Sequence, residues 1–316
     1  MRFESCMAVE GGPLESNPMD FPTFLIQLLN GVQYGMLLFL VASGLTLVFG
    51  IMGIINVAHG SFYMIGAYLA WSLTQNLGNF WLALVVSVPL SVLLGMLLEW
   101  LLMRFLYERD HLYQVLLTYG LILMFEELRS VLWGDDVRGV NIPALLDRSI
   151  PLTDTLSYPV YRLWISGVCV VVAVLMYWVI QKTRLGMMIR AGSTNREMVQ
   201  SLGINVTFLF RLVFALGVAL AAFAGMIAAP VSSVFPGMGN HVLIVCFVVV
   251  VIGGMGSVKG AMVASLLIGL VDTFGKVVHL EIGGFKVLPE LSSMSVYLLM
   301  AVVLLWRPEG LFGKRV

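Results

Sequence analysis

The sequence contains very little charge for its length. Its 316 residues include 18 Lys and Arg and 18 Asp and Glu, and charged residues make up 11% of the chain. Soluble globular proteins usually contain about 25% charged residues. With 59% hydrophobic residues, the chain has too little polar surface to be surrounded by water, so we expect an integral membrane protein in a lipid bilayer. The basic residues form no stripe, which argues against a nucleic-acid partner.

The sequence also lacks the motifs of common metal sites and enzymes. Its three cysteines have no CxxC spacing, and its four histidines have no metal-ligand spacing. GxSxG and HExxH motifs are absent. Residues 253–260, GGMGSVKG, are not a phosphate-binding loop, because glycine follows the lysine where GxxxxGK[ST] requires serine or threonine. We therefore expect a non-catalytic chain that binds no metal, nucleotide or other cofactor itself.

Apolar segments long enough to cross a membrane recur along the chain. Residues 1–20 are a polar N-terminal tail, and residues 21–98 contain no charged residue, which is too long for one span of about 20 residues. We predict an all-α integral membrane protein, a polytopic helical bundle of about eight or nine transmembrane segments in one domain, residues 21–316. The predicted spans are 24–49, 52–74, 80–102, a fourth that ends near Trp133, 161–180, 206–229, a glycine-broken hairpin at 241–275, and 291–306.

Lysine and arginine are distributed unevenly between the connecting segments. Five of them lie in 182–211, and segments rich in these residues are usually cytoplasmic. We therefore expect a cytoplasmic loop at 182–205. The loop at 134–160 contains four aspartates and is expected to be extracytoplasmic. Counting spans from these assignments places the N-terminus outside and makes 241–275 a hairpin that starts and ends outside.

A polar segment within the cytoplasmic loop has the features of a short helix. It reads TNREMVQSLG over residues 194–203. Ser193 or Thr194 is a plausible N-cap, Glu197 lies in the first turn, and Gly203 can end the helix. Such a helix is either an ordinary surface helix between two spans or one that docks in a groove of a soluble partner. The residue pattern alone leaves both readings open.

Two clusters of polar or glycine residues interrupt apolar segments. Gly50, Gly53 and the polar cluster at 56–61 divide the first long apolar stretch, and residues 253–257 divide the hairpin. Polar groups at membrane depth tend to face a bundle interior or a cavity, and broken helices often lie near a translocation path. Both clusters can equally serve helix packing. The candidate translocation-path or hinge residues are Asn56, His59, Gly60, Gly253, Gly254 and Gly256.

Two further features are expected to be structural. Glu126, Glu127 and Arg129 lie late in the fourth span, where an ion pair near the outer interface is the simplest expectation, because adjacent helical residues point about 100° apart. Small residues recur at every fourth position from Gly217 to Gly225. Such a stripe lets another helix approach closely.

Taken in order, these motifs resemble the branched-chain amino acid ABC transporter permeases of the LivH type. Residues 30–68 are similar to the opening of those permeases, including the Asn-x-Ala-His-Gly run at 56–60. Residues 249–261 and 306–313 resemble later segments of the same family. The resemblance covers roughly residues 22–316.

The resemblance extends to the coupling loop of such permeases. The family pattern is E-A-A, three residues, then G, which Glu197 and Gly203 match in spacing, with Met198 and Val199 in place of the two alanines. The resemblance implies that the 182–205 loop transmits motion from ATPase subunits. The residues implied in coupling to the ATPase are Asn195, Arg196, Glu197 and Gly203.

The resemblance also implies a function and a set of partners. The chain would be the permease subunit of an ABC importer in a bacterial inner membrane, translocating branched-chain amino acids with ATP hydrolysed by other subunits. The implied partners are a homologous second permease subunit, two cytosolic ATPase subunits and an extracytoplasmic substrate-binding protein. Urea or a short amide is an alternative substrate. A stand-alone secondary transporter is the alternative class, and it would need intramembrane ionisable residues for ion coupling.

Overall fold

The protein is described here by a computed structural model. The described residues are 21–107, 109–153, 156–194, 196–277, 281–282, 285–286 and 294–313. The predicted N-terminal tail, 1–20, and the predicted coupling residue Asn195 lie outside this part of the chain.

Helices make up most of the described chain, as predicted. They are α1 (Phe21–Met52), α2 (His59–Leu77), α3 (Phe80–Leu101), α4 (His111–Trp133), α5 (Val160–Lys182), α6 (Arg184–Thr194), α7 (Arg196–Ser201), α8 (Val206–Ser232), α9 (Met238–Gly253), α10 (Val258–Val277) and α11 (Ser295–Trp306). A 3₁₀ turn, Met103–Leu106, follows α3. Two short antiparallel hairpins lie between helices: β1 (Ser149–Thr153) with β2 (Leu156–Pro159), and β3 (Glu281–Ile282) with β4 (Phe285–Lys286).

Five of the described helices, α1, α3, α5, α8 and α10, are long and apolar enough to cross a membrane. Helices α9 and α11 are apolar but shorter, with 16 and 12 residues. The most apolar window of α1 is 83% buried, whereas that of α5 is 22% buried. Helix α1 is therefore central, and α5 turns most of its apolar surface outward, as a lipid-facing helix does. The total of eight or nine spans stays a prediction.

The break between the first two spans lies later than the sequence predicts. The predicted boundary at residues 50–51 is wrong, because α1 continues to Met52 and α2 begins at His59. Gly53 has a φ of 67°, a left-handed conformation that ends a helix and favours glycine. Gly50 remains helical and packs against Gly256. If residue 50 had a Cβ, that atom would lie 2.8 Å from the Cα of Gly256.

Helices α1 and α10 run antiparallel in close contact. A Cβ at Gly31 would lie 2.9 Å from a methyl carbon of Leu270, and one at Gly35 would lie 2.8 Å from the carbonyl oxygen of Ser265. Contacts this short leave no room for a side chain. Glycine at these positions therefore sets the distance between the two helices, as small residues do in membrane bundles.

The small-residue stripe of α8 has the packing role that the sequence predicts. A Cβ at Gly217 would lie 2.8 Å from a methyl carbon of Val48 on α1. A Cβ at Gly225 would overlap the carbonyl oxygen of Tyr63 on α2. Helix α8 thus packs directly against both α1 and α2, and with α1 it forms the centre of the described bundle.

The segment between α1 and α2, residues 53–58, is held in place by α4. The backbone N–H of Ile55 donates to Oε1 of Gln114 at 3.2 Å, and that of Val57 donates to Oγ1 of Thr118 at 3.3 Å. The side chains of Gln114 and Thr118 are buried. Backbone amides away from helices and away from water need acceptors, and α4 supplies them.

The loop from 134 to 160 is more ordered than the sequence predicts. It contains the hairpin β1–β2, and Arg138 forms an isolated antiparallel bridge with Val234, just after α8. The hairpin arises from local alternation that the Pro- and Asp-rich composition conceals. The sequence, rich in Pro and Asp here, predicts one long irregular stretch from Gly134 to Pro159. This is wrong for the hairpin and for the bridge at Arg138, and it agrees with the turns and irregular backbone of the remaining described residues up to Arg148.

The expected ion pair late in α4 is present. Arg129 lies 3.3 Å from Glu126 and 2.9 Å from Asp135. Among the described residues, no ion pair joins Arg129 to Glu127. Hydrogen bonds from Arg129 and Ser130 hold the pKa of Asp135 below its ordinary value.

The α8 stripe generates a prediction about stability. We expect Gly225→Ala to lower the midpoint of thermal unfolding in detergent by several degrees, because overpacking a tight contact costs about 1–3 kcal/mol. Gly120→Ala is the matched control, since no atom lies within 4 Å of a Cβ there and alanine favours a helix. Equal midpoints for the two variants would contradict the packing role of Gly225.

The contacts of α4 generate a second prediction. Thr118→Val removes the acceptor of the Val57 amide, and an unsatisfied buried amide costs about 1–3 kcal/mol. We expect a lower unfolding midpoint, measured in detergent by the fluorescence of a thiol-reactive dye. Thr46→Val is the control, because the Thr46 hydroxyl is buried and has no hydrogen-bond partner among the described residues. If Thr46→Val lowers the unfolding midpoint as much as Thr118→Val does, the loss of the acceptor for the Val57 amide is not the cause.

Candidate functional site

The predicted cytoplasmic loop forms two helices where the sequence predicts one. Thr194 belongs to the end of α6, so its predicted role as an N-cap is wrong. Helix α7 then covers Arg196–Ser201. Gly203 ends this helical stretch as predicted, with a φ of 81° and its N–H donating to the carbonyl of Gln200 at 2.9 Å. The side chains of Arg196 and Glu197 lie outside the described atoms, so their coupling role stays a prediction.

Helix α6 is attached firmly to the end of α5. The Thr183 hydroxyl oxygen accepts a hydrogen bond from the N–H of Gly186 at 3.2 Å, which caps the start of α6. The guanidinium of Arg190 donates to the carbonyl of Ile180. Ile189 on α6 is buried in the core. Two hydrogen bonds and the buried Ile189 therefore hold α6 against the end of α5 and the core.

Helix α7 and the residue after it contain both buried and exposed apolar side chains, and Met198 on α7 is 62% exposed. Val199 is 3% exposed and belongs to the hydrophobic core, whereas Leu202 is 72% exposed. The buried side chain fixes α7 to the body of the protein. Leu202, directly after α7, leaves an apolar side chain on the surface.

An ion pair between a partly exposed arginine and a buried carboxylate links α8, which follows this loop, to α3. Glu99 near the end of α3 is fully buried, and its Oε2 lies 2.7 Å from Nε of Arg211, in the second turn of α8. The hydroxyl of Tyr107 donates to Oε1 of Glu99. A buried carboxylate is costly unless it is paired and hydrogen-bonded. These three residues therefore hold α3, α8 and the turn after α3 in one arrangement.

Asn56 and His59, which the sequence marks as path or hinge residues, are both fully buried. The imidazole Nε2 of His59 lies 3.0 Å from the carbonyl of Val41, so Nε2 carries the proton and donates. Oδ1 of Asn56 accepts from the N–H of Ala58 at 3.1 Å. Within the described residues, Nδ2 of Asn56 and Nδ1 of His59 have no hydrogen-bond partner. One donor and one acceptor are thus available here for a water molecule or a polar solute.

Gly60 brings α2 against α9. A Cβ at Gly60 would overlap the carbonyl oxygen of Gly239. His59 also lies close to α1, because its Cε1 would be 3.1 Å from a Cβ at Gly44. The cluster at the start of α2 therefore lies where α1, α2 and α9 meet, which suits either helix packing or a hinge.

The glycine loop between α9 and α10 packs against the C-terminal segment. Gly254 and Gly256 have φ values of 95° and 81°, which favour glycine. The N–H groups of Leu311 and Phe312 donate to the carbonyls of Ile252 and Gly253 at 2.8 and 3.1 Å. The C-terminal segment thus supplies donors to the end of α9, where helical carbonyls lack partners. The interruption lies where it is predicted, and its arrangement in a membrane stays a prediction.

The two groups of candidate path residues are separate in the structure. His59 contacts α1 beside Gly44, and Gly256 contacts α1 beside Gly50. Six helical residues correspond to about 9 Å along α1. The structure therefore places both groups along one helix but does not bring them into a single site.

Sequence reasoning missed two pairs of residues that support these sites. Gln114 and Thr118 hold the 53–58 segment, and Glu99 with Arg211 holds the helix that follows the loop. Each pair leaves a signal in the sequence. Polar residues four apart share one helix face, and Glu99 is the first charged residue after an uncharged stretch of 78 residues, 21–98.

Comparison with known proteins gives a consistent result over the length of the chain. Residues 27–304 match the family model described as "Branched-chain amino acid transport system / permease component". The branched-chain amino acid transport permease BraD of Pseudomonas aeruginosa is 30% identical, over 92% of this chain and 96% of BraD. LivH of Escherichia coli is 27% identical, over 93% of this chain and 97% of LivH. LivM of Salmonella typhimurium is 27% identical, over 87% of this chain and 68% of LivM.

The family model covers most of the chain, and the multi-pass helical architecture agrees with it. The motifs at 56–60, 197–203 and 253–260 lie within the matched residues. Members of this family are membrane subunits of transport systems and do not catalyse a reaction. The chain therefore belongs to the family of branched-chain amino acid transport permease components.

Proposed function

We propose that this chain is the permease subunit of an ATP-driven importer of branched-chain amino acids in a bacterial inner membrane. The observation that carries the proposal is the α6–α7 segment. It is tied to α5 and to the core, and it presents the exposed Leu202. The chain has no GxxxxGK[ST] loop, so the energy of ATP hydrolysis has to come from partner ATPase subunits that dock here.

A hydrogen bond of α6 and an ion pair of α8 define the route by which movement of the ATPase subunits reaches the membrane spans. Displacement of α6 acts on α5 through the bond from Arg190 to the carbonyl of Ile180. Displacement of the start of α8 acts on α3 through Arg211 and Glu99. Both routes end on helices that are long and apolar enough to cross the membrane. Closure of two ATPase subunits would thus move several spans together and switch the path from one side to the other.

The relatives support the choice of substrate and partners. BraD and LivH carry names of high-affinity branched-chain amino acid permeases, and LivM, a permease with another name, is also similar to this chain. We infer that a homologous permease subunit pairs with this chain. Two ATPase subunits would bind on the side of α7, and a substrate-binding protein would deliver the amino acid to the opposite side, at the 134–160 loop.

A stand-alone secondary transporter is the second candidate, and the ion pairs count against it. Glu99 is paired with Arg211, Glu126 with Arg129, and Asp272 on α10 lies 2.6 Å from Lys276. Ion-coupled transport needs carboxylates that exchange a proton or an ion during each cycle. Carboxylates that already have a cation beside them are poorly suited to this role.

The docking role of α7 is tested by a charge on its exposed surface. We expect Leu202→Glu to abolish co-purification of the ATPase subunits with the permease, because a carboxylate cannot enter an apolar groove without a large desolvation cost. Leu145→Glu is the matched control, since Leu145 is also 72% exposed and lies in the opposite loop. Glu197→Arg is expected to act like Leu202→Glu. ATPase subunits that co-purify equally with all three variants would refute the proposed docking surface.

The substrate class is tested by competition in proteoliposomes that contain the whole transporter. We expect unlabelled isoleucine and valine to reduce uptake of radiolabelled leucine to near background, and urea and glutamate to leave it unchanged. Uptake should also stop when ATP is omitted. Competition by urea would favour the amide alternative, and leucine uptake that continues without ATP would favour a secondary transporter.

A further inference from the structure

An open pocket of about 600 Å³ lies beside the turn that follows α3. Its volume is in the range of small-molecule sites. The pocket lies between the end of α3 and the first turn of α8 and is lined by Arg104, Phe105, Tyr107, Arg109 and Thr207. Two of these five residues are arginines, and no acidic residue is among them.

The arginines of this pocket form no ion pair among the described residues, which do not include Glu108, between Tyr107 and Arg109. Among the described residues, neither Arg104 nor Arg109 lies within 4 Å of a carboxylate, whereas the nearby Arg211 is paired with Glu99. Asp110 is exposed and does not line the pocket. The two arginines therefore contribute positive potential to the pocket, and an anion there can accept charge-assisted hydrogen bonds from them.

The start of α8 adds to this potential. Thr207 is the second residue of α8, and the N-cap Asn205 accepts a hydrogen bond from the N–H of Phe208 at 3.0 Å. The first amides of a helix have no acceptor within the helix, and the helix dipole places positive potential there. Together with the two arginines, this arrangement is suited to an oxyanion such as a phosphate.

The surface around the pocket is apolar and aromatic. Trp100 and Leu101, at the end of α3, are 48% and 52% exposed, and Phe105 is 62% exposed. The guanidinium carbon of Arg104 lies 4.6 Å from the ring centre of Phe105 and 5.5 Å from that of Trp100. The two rings orient the guanidinium by cation–π contacts. The anion in the pocket would thus lie next to an apolar surface that continues along α3.

We propose that this pocket binds the phosphodiester headgroup of an anionic phospholipid, whose acyl chains lie along the exposed apolar side of α3. Helix α3 is long and apolar enough to cross a membrane, and it ends at Leu101, three residues before Arg104. The arginines therefore lie at the level where headgroups meet the hydrocarbon. Aromatic and basic residues at this level are typical of contacts with anionic lipids.

A free phosphate ion and an acidic surface of a partner protein would use the same charge. Neither of them makes contact with the apolar residues on α3 beside the pocket, which bilayer lipid would then cover separately. A phospholipid supplies both the anion and the hydrocarbon. The proposal does not depend on the transported substrate.

Native mass spectrometry of the detergent-purified full chain tests the proposal. The probes are phosphatidylglycerol and phosphatidylcholine with identical acyl chains, with inorganic phosphate as a competitor. We expect phosphatidylglycerol to bind at least about fivefold more tightly than phosphatidylcholine. Arg104→Gln and Arg109→Gln should each lower the affinity for phosphatidylglycerol about fivefold and leave that for phosphatidylcholine unchanged.

Three further variants separate charge from folding. Thr207→Glu places a carboxylate in the first turn of α8, where it favours the helix, so the protein should fold while phosphatidylglycerol binding is lost. Thr207→Gln is its neutral control. Arg148→Gln removes an exposed arginine from the loop between α4 and α5 and should leave lipid binding unchanged.

Several outcomes would overturn the proposal. Equal affinity for the two lipids, or arginine variants that bind phosphatidylglycerol like the unmodified chain, would exclude a headgroup site here. Displacement of phosphatidylglycerol by millimolar inorganic phosphate would assign the pocket to a free anion. Loss of ATPase co-purification in Arg104→Gln, with unchanged lipid affinity, would assign it to a protein contact.

Discussion

The structure depends on direct contact between helix backbones. Helix α1 touches α10 through Gly31 and Gly35, and α8 touches α1 through Gly217 and α2 through Gly225. In lipid, the hydrophobic effect does not drive helices together, so dispersion forces and close contact have to hold them. Glycine permits that contact, and each of these positions fixes the distance between two helices. The positions of the buried polar groups follow from these distances.

Some of the buried polar groups fix the relation between two elements. The carboxylate of Glu99 joins α3 to α8 through Arg211. Gln114 and Thr118 join α4 to the segment between α1 and α2. Breaking such a bond leaves a buried group without a partner, which costs more than the bond contributes. These links therefore tend to persist during a conformational change, and the elements they join move as units.

The sequence predicts the elements better than it predicts their connections. Apolar length and glycine position are local properties, and they predict the helices, the interruption near Gly254 and the helix end at Gly203. The boundary near Gly50 was wrong because that glycine serves a contact with Gly256, 206 residues away along the chain. The pairing of Glu99 with Arg211 spans 112 residues. Contacts of this kind depend on how the helices assemble, and a single sequence does not contain that information.

The same bonds indicate which parts of the interior can separate during transport. Residues 53–58 are bound to α4 through two side chains, so this segment and α4 form one unit. The start of α2 is bound to α1 through one hydrogen bond, from His59 to Val41. His59 and Asn56 each retain one unpaired polar atom among the described residues. In the proposed transport cycle, separation of α1 from the start of α2 would break the His59–Val41 hydrogen bond, the one that the described residues show between them. It would expose the unpaired atoms of His59 and Asn56, whereas separation within the α4 unit would leave two backbone amides unpaired.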